Sequence, residues 1–107
     1  MINSQQFKTA ALIIMEAKLI SKTELAHKCE LSLPSFSRMM SKDSDLRLDV
    51  CNSIMQALQV DWHILEEVAE FHRLREQDFL QYPWRVVPIV RKWLHDPELL
   101  CKRLWEL

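Results

Sequence analysis

The stretch SKTELAHKCELSLPSFSRMMS, residues 21–41, decides how this chain folds. It holds two helix starts only eleven residues apart, at Ser21 and Ser32. The first, Ser21-Lys22-Thr23-Glu24, is a capping box. The Ser21 hydroxyl is placed to accept the Glu24 amide, and the Glu24 side chain to reach back to the Ser21 amide. Leu25, Ala26 and Cys29 then supply a buried stripe at helical spacing. From Ser32 a second helix runs to about Met40, with Pro34 in the first turn, where its missing amide proton is harmless. Phe36, Met39 and Met40 are its apolar side. Only Glu30 and Leu31 remain between the two, so a pair of short helices must meet at a tight corner. Ala26 falls where the axes come closest and a small side chain is needed.

Outward from this corner the pattern stays helical. On the N-terminal side, Phe7, Ala10, Ala11 and Ile14 share one face of a helix from about Ser4 to Ala17, with Ser4 as its cap. On the other side, residues 41–45 are polar and read as a loop ending in a cap. Val50, Cys51, Ile54, Met55 and Leu58 then mark a helix from about Leu46 to Leu58. Asp61 caps the next, which carries Ile64, Leu65, Val68 and Phe71 and ends between residues 71 and 81. Tyr82-Pro83 breaks the chain. A sixth helix is predicted over about Val87 to His95, with Pro88 in its first turn. Asp96-Pro97-Glu98 opens a last one with a stripe of Leu100, Leu104 and Leu107.

Composition agrees with an all-α chain. It contains no glycine, and both β-hairpins and phosphate-cradling loops depend on that residue. With 49% hydrophobic and 27% charged residues, it can bury a core and is not the composition of a disordered chain. The longest apolar run, Ala10 to Met15, is far short of the roughly 20 residues a spanning helix requires. No basic segment precedes a hydrophobic one at the N-terminus, so a cytoplasmic protein without membrane contact is expected. Cys29, Cys51 and Cys101 are odd in number and lie in apolar helical patterns, which reads as buried free thiols. Net charge is −1, but residues 1–48 hold seven Lys/Arg against five Asp/Glu, which puts the positive end on the segment with the corner.

The segment Lys22 to Ser41, followed by LDVCNSIMQALQV at residues 48–60, resembles the helix-turn-helix and fourth helix of lambda-repressor-like regulators of the Cro/XRE type. The likeness spans about Phe7 to Phe71. It implies a compact five-helix DNA-binding domain over residues 1–71, with residues 72–107 as a C-terminal helical extension. In that register the second helix of the pair enters the major groove of double-stranded DNA. Leu33, Pro34, Ser37, Arg38 and Ser41 then face the bases, while Lys22, Thr23, Lys28, Ser32, Ser35 and Lys42 face phosphates. Arg38 alone could pair bidentately with guanine, worth about 1–3 kcal/mol of discrimination. One departure stands out: where the family commonly has Gly at positive φ in the corner, this chain has Glu30, a conformation costing about 1–2 kcal/mol.

Other signals point away from catalysis. His27, His63, His72 and His95 form no metal-ligand spacing with the cysteines, and Glu66, Glu67 and Glu70 read as a solvated acidic face. No enzyme, cofactor, metal or small-molecule ligand is expected. Trp62, Trp84, Trp93 and Trp105 all lie outside the corner segment, three of them in the last 24 residues. Because Trp is enriched where proteins associate, Trp84, Val90, Trp93, Leu94, Leu100, Leu104 and Trp105 are expected to build a homodimer or higher oligomer. The function expected is a sequence-specific transcriptional regulator, a repressor of phage or plasmid type, with activation left open. The alternative is a protein-interaction module, such as an antitoxin or anti-repressor, that uses the Trp-rich tail on a protein partner.

Overall fold

Asn3, not Ser4, opens the first helix of the computed structural model, which describes residues 2–41 and 44–107. The Asn3 side chain accepts the Gln6 amide at 2.9 Å, and the Gln6 side chain accepts the Asn3 amide at 3.0 Å. Helix α1 then runs Ser4–Lys18 and buries Phe7, Ala10, Ala11, Ile13, Ile14, Met15 and Ala17. That apolar face is wider than the stripe the sequence suggested, and it puts α1 at the centre of the molecule, against α4, α5 and α7.

Helix α2 (Lys22–Lys28) starts after Ser21 as expected, with the Ser21 hydroxyl accepting the Glu24 amide at 3.1 Å, but Glu24 does not reach back to the Ser21 amide, so half of the expected capping box forms. Helix α3 (Leu33–Met39) starts under Ser32, whose hydroxyl accepts the Ser35 amide at 3.3 Å. Helix α4 (Leu48–Leu58) begins two residues later than expected, after an extended Arg47 that offers no side-chain cap. Helix α5 (Trp62–Leu74) is capped by Asp61, which accepts the Ile64 amide at 2.9 Å. On α5, Trp62 sets its ring 5.7 Å from that of Phe7 and so belongs to the α1–α5 contact.

Beyond residue 71 the elements differ from the expectation. A short α6 (Glu76–Gln81) follows α5, and α7 (Pro83–His95) begins four residues before the predicted Val87. The physical reason is Pro83, whose fixed φ suits a first helical position. Pro88 therefore lies inside α7, where it is exposed and withholds the amide that the Trp84 carbonyl would otherwise accept. The last helix is only α8 (Pro97–Leu100), capped by Asp96, and a 3₁₀ turn covers Leu104–Glu106. Leu100, Leu104 and Leu107 are thus not one helical stripe. The chain turns after Leu100 so that Leu104 is fully buried, its amide bonded to Glu67 at 3.3 Å.

One core includes residues from both ends of the chain. Val86, Val87, Val90, Trp93 and Leu104 join Phe7, Ile14, Leu25, Phe36, Ile54, Leu58, Leu65 and Phe71 in a single cluster. The Arg91 guanidinium donates to the Ala17 carbonyl at 2.8 Å, and the Trp93 indole N–H to that of Lys102 at 3.0 Å. This corrects the picture of a tail reserved for association: Val90, Trp93 and Leu104 have no free surface to offer a second copy. Trp84 and Trp105 are exposed, and Leu94 and Leu100 half-buried. Cys51 is buried and Cys29 half-buried, but Cys101 is exposed, which corrects the expectation of three buried thiols. The radius of gyration is 13.3 Å, against about 13 Å for a compact domain of 100 residues. Among the described residues there is no strand, and no helix is long and apolar enough to cross a membrane.

Candidate nucleic-acid interface

Phe36 determines which way α3 presents itself. Its side chain is 0% exposed, set among the core residues with Leu25 and Ala26 of α2. A helix pinned by one residue turns the positions on its opposite side outward. Leu33, Pro34, Ser37 and Arg38 are all exposed, and the principal neighbour of α3 is α2. The tail does not cover them. The Arg38 guanidinium and the Ser37 hydroxyl make no hydrogen bond or ion pair among the described residues, so their donors are available to an outside acceptor.

The corner that projects α3 has the backbone expected of it. Glu30 adopts φ 59°. Its amide donates to the His27 carbonyl at 3.0 Å, and the Leu31 amide to that of Ala26 at 2.9 Å. These are the paired bonds that close a helix on a left-handed residue. They satisfy the carbonyls at the end of α2 and turn the chain directly into Ser32.

The remaining expected contacts divide by placement. Lys22 and Thr23 are exposed on the first turn of α2. Lys28 is exposed but opens onto a polar groove with Glu30, Ser53, Gln56 and Gln59, between the corner and α4. The Ser32 hydroxyl serves as the α3 cap and donates to the Ser35 hydroxyl at 2.9 Å, so the free proton of this pair is that of half-buried Ser35. Ser41 was expected among the base-facing residues; it lies beyond the end of α3, with its hydroxyl bonded to the Arg38 carbonyl at 2.8 Å. It is exposed yet not a free donor, which removes it from the outward face of the helix. Lys42 lies outside the described residues.

The sequence reading missed two residues that support this surface. Lys8 is buried on α1, and its ammonium donates to the carbonyls of Ser41 (2.6 Å) and Ser44. Ser44 in turn bonds the Arg38 carbonyl through its hydroxyl at 2.8 Å. The signal for Lys8 was its phase: it precedes Ala11 and Met15, both buried, by three and seven residues. Lys18 is a second cation turned inward, donating to the Leu58 carbonyl at 2.7 Å. Burial, and then the nearby charge of Lys28, lower its pKa below the usual lysine value. Arg47 pairs with Asp49 at 3.4 Å, but both are so exposed that the pair holds little. No group of three or more His, Cys, Asp or Glu among the described residues is arranged to hold a metal ion. Comparison of the chain with protein-family models, curated proteins and solved structures finds no significant match.

Proposed function

We propose that this protein is a sequence-specific regulator of transcription, of the lambda-repressor-like kind, that lays α3 in the major groove of double-stranded DNA. The observation that carries the reading is the orientation of α3. Phe36 is locked in the core while Pro34 and Arg38 stand exposed on the opposite side, with Leu33 and Ser37 exposed on its flanks. A short helix projecting an uncovered face of mixed polarity beside a tight corner has the dimensions the groove admits. Arg38 reads guanine, Leu33 or Pro34 touches a thymine methyl, and Lys22 and Thr23 hold phosphates. The regulatory act assigned to it is repression of a phage or plasmid promoter, by occupying a two-fold operator as a homo-oligomer. The half-sites would lie about one helical turn apart.

Selection from a random DNA library, repeated across a salt series, tests the reading. A regulator enriches one site, and its affinity falls steeply as salt rises because phosphate contacts release counterions. Arg38→Ala should relax choice at one guanine by about 1–3 kcal/mol, a loss of roughly fivefold to 150-fold. No enriched site, or a variant as selective as the parent, rejects the assignment.

A second reading has its own observation. Tyr82 and Trp84 pair in an exposed apolar contact at the α6–α7 junction, their rings 5.7 Å apart and Trp84 66% exposed, with Leu80 exposed nearby in sequence. Such a surface suits association with protein. It serves either oligomerisation of the regulator or a module that binds a different protein. Light scattering on the parent and on Trp84→Ala distinguishes self-association from its absence.

A further inference from the structure

We propose that Lys8 is a positioning residue for α3: a buried ammonium on α1 that sets where the recognition helix ends and holds the chain beyond it against the domain. This inference rests on the DNA-binding reading of α3, but its structural half can be tested without DNA. Lys8 is 3% exposed, and its Nζ donates to two carbonyls in the segment that follows α3, those of Ser41 at 2.6 Å and Ser44. Both of those serines turn their hydroxyls to one atom, the carbonyl oxygen of Arg38, at 2.8 Å each. A continuous set of bonds therefore joins a buried charge on α1 to the backbone of the residue whose side chain would read a base. Ser4, one turn before Lys8 on the same face of α1, extends the hold by accepting the Leu46 amide at 3.2 Å. The two α1 side chains thus tie the connection from α3 to α4 at Ser41, Ser44 and Leu46.

The chemistry requires the cation, not its bulk. A methionine would fill the same volume without desolvating a charge, so burial of an ammonium is stable only where carbonyls are fixed to receive it. An ammonium also offers three donors from one atom, enough to gather two carbonyls that no single side-chain amide proton could. In a helix of seven residues the far end lies within about two turns of the start, so the hold at Ser41 and Ser44 acts on α3 together with the Ser32 cap and buried Phe36 at its other points.

Four variants test this: Lys8→Met, Lys8→Arg, Ser44→Ala and Lys18→Met. The last removes a comparable ammonium–carbonyl bond at the end of α4, away from α3. All are measured for thermal stability, for amide exchange at Met40 and Ser41, and for affinity and site preference with the selected DNA. Lys8→Met is expected to speed exchange at both amides, to lose tenfold or more in affinity at a temperature where it is fully folded, and to broaden the selected site. Lys8→Arg restores part of each, and Ser44→Ala moves the same readouts by less. Lys18→Met lowers the melting temperature while the folded protein binds and selects as the parent does. Parental exchange and affinity in Lys8→Met overturn the proposal, as does a Lys18→Met variant that loses selectivity in step with its stability. Should Lys8→Met not fold, unchanged exchange at Met40 and Ser41 in Ser44→Ala overturns it instead. If the parent selects no DNA, the reading of α3 fails, and the exchange data alone decide whether Lys8 orders its end.

Discussion

Among the described residues Glu30 is one of three non-glycine residues at positive φ, with Leu19 at 59° and Gln59 at 58°, and they follow the ends of α2, α1 and α4. Ile20 and Val60 close their helices by bonding the carbonyls of Met15 and Met55, the same pattern Leu31 makes with Ala26. A left-handed conformation costs a side-chain-bearing residue about 1–2 kcal/mol, whereas glycine enters it freely but loses about 0.5–1 kcal/mol more in unfolded-state freedom. The difference favours glycine slightly. Glu30→Gly should therefore raise stability by up to about 1 kcal/mol, or a few degrees in melting temperature, and Gln59→Gly should do the same. A thermal scan in which both variants melt lower would mean that the side chains contribute more than the strain removes. The thiols give a second test at this scale. Burial raises the pKa of Cys29, and burial followed by the Asp49 charge, against its own backbone hydrogen bond, raises that of Cys51. A raised pKa leaves less thiolate at any given pH, and thiolate is the reactive form. Near pH 7.5 a thiol-alkylating reagent should modify exposed Cys101 first, with the other two reacting only as the protein opens. Mass spectrometry of partly alkylated protein checks the order, and early labelling of Cys51 would contradict its burial.

Helix starts that carry a side-chain cap were legible in the sequence to a degree that uncapped starts and tertiary partners were not. Ser21, Ser32 and Asp61 each cap the helix they were expected to, because a cap is a bond between residues three apart and needs nothing from the rest of the fold. The Glu30 corner was legible for the same reason. The last helix was not. It stops at Leu100, and the chain beyond is held by Glu67 of α5, which accepts from the Arg103 guanidinium at 2.7 Å and from the Leu104 amide, 37 residues away, at 3.3 Å. Read as part of a solvated acidic face, Glu67 is instead 4% exposed and latches the tail. Glu67→Ala should cost about 1–3 kcal/mol, since the Leu104 amide would be left buried without an acceptor. Glu67→Gln keeps one acceptor oxygen and should cost less. Denaturant unfolding of the two variants measures both, and equal stability of Glu67→Ala and the parent would show that the tail closes without the latch.

The division of the chain into a DNA-binding half and an association half assigned Val90, Trp93 and Leu104 to a partner, and the folded molecule places all three in its own core. Composition could not have decided this. A run rich in Trp and Leu states only that apolar surface must be covered, and whether α1 or a second chain covers it depends on long-range packing that no local spacing encodes. The candidate site was more legible, because the outward placing of Pro34 and Arg38 follows from the phase of Phe36, whereas the support from Lys8 crosses from α1 to the residues after α3. One consequence belongs to the molecule as a whole. With Trp93 and Leu104 packed in the same cluster as Phe7 and Ile14, neither half has a complete core without the other. The 107 residues should unfold in a single transition, with calorimetric and van't Hoff enthalpies equal and near 75 kcal/mol, from about 0.7 kcal/mol per residue. Removing residues 96–107 should lower the melting point of that whole transition, not delete a separate one, because it strips Leu104 from the core and the Lys102 carbonyl from the Trp93 indole. Two resolved transitions in the parent, or a truncated chain melting unchanged, would show that the tail folds on its own and that the core is not shared.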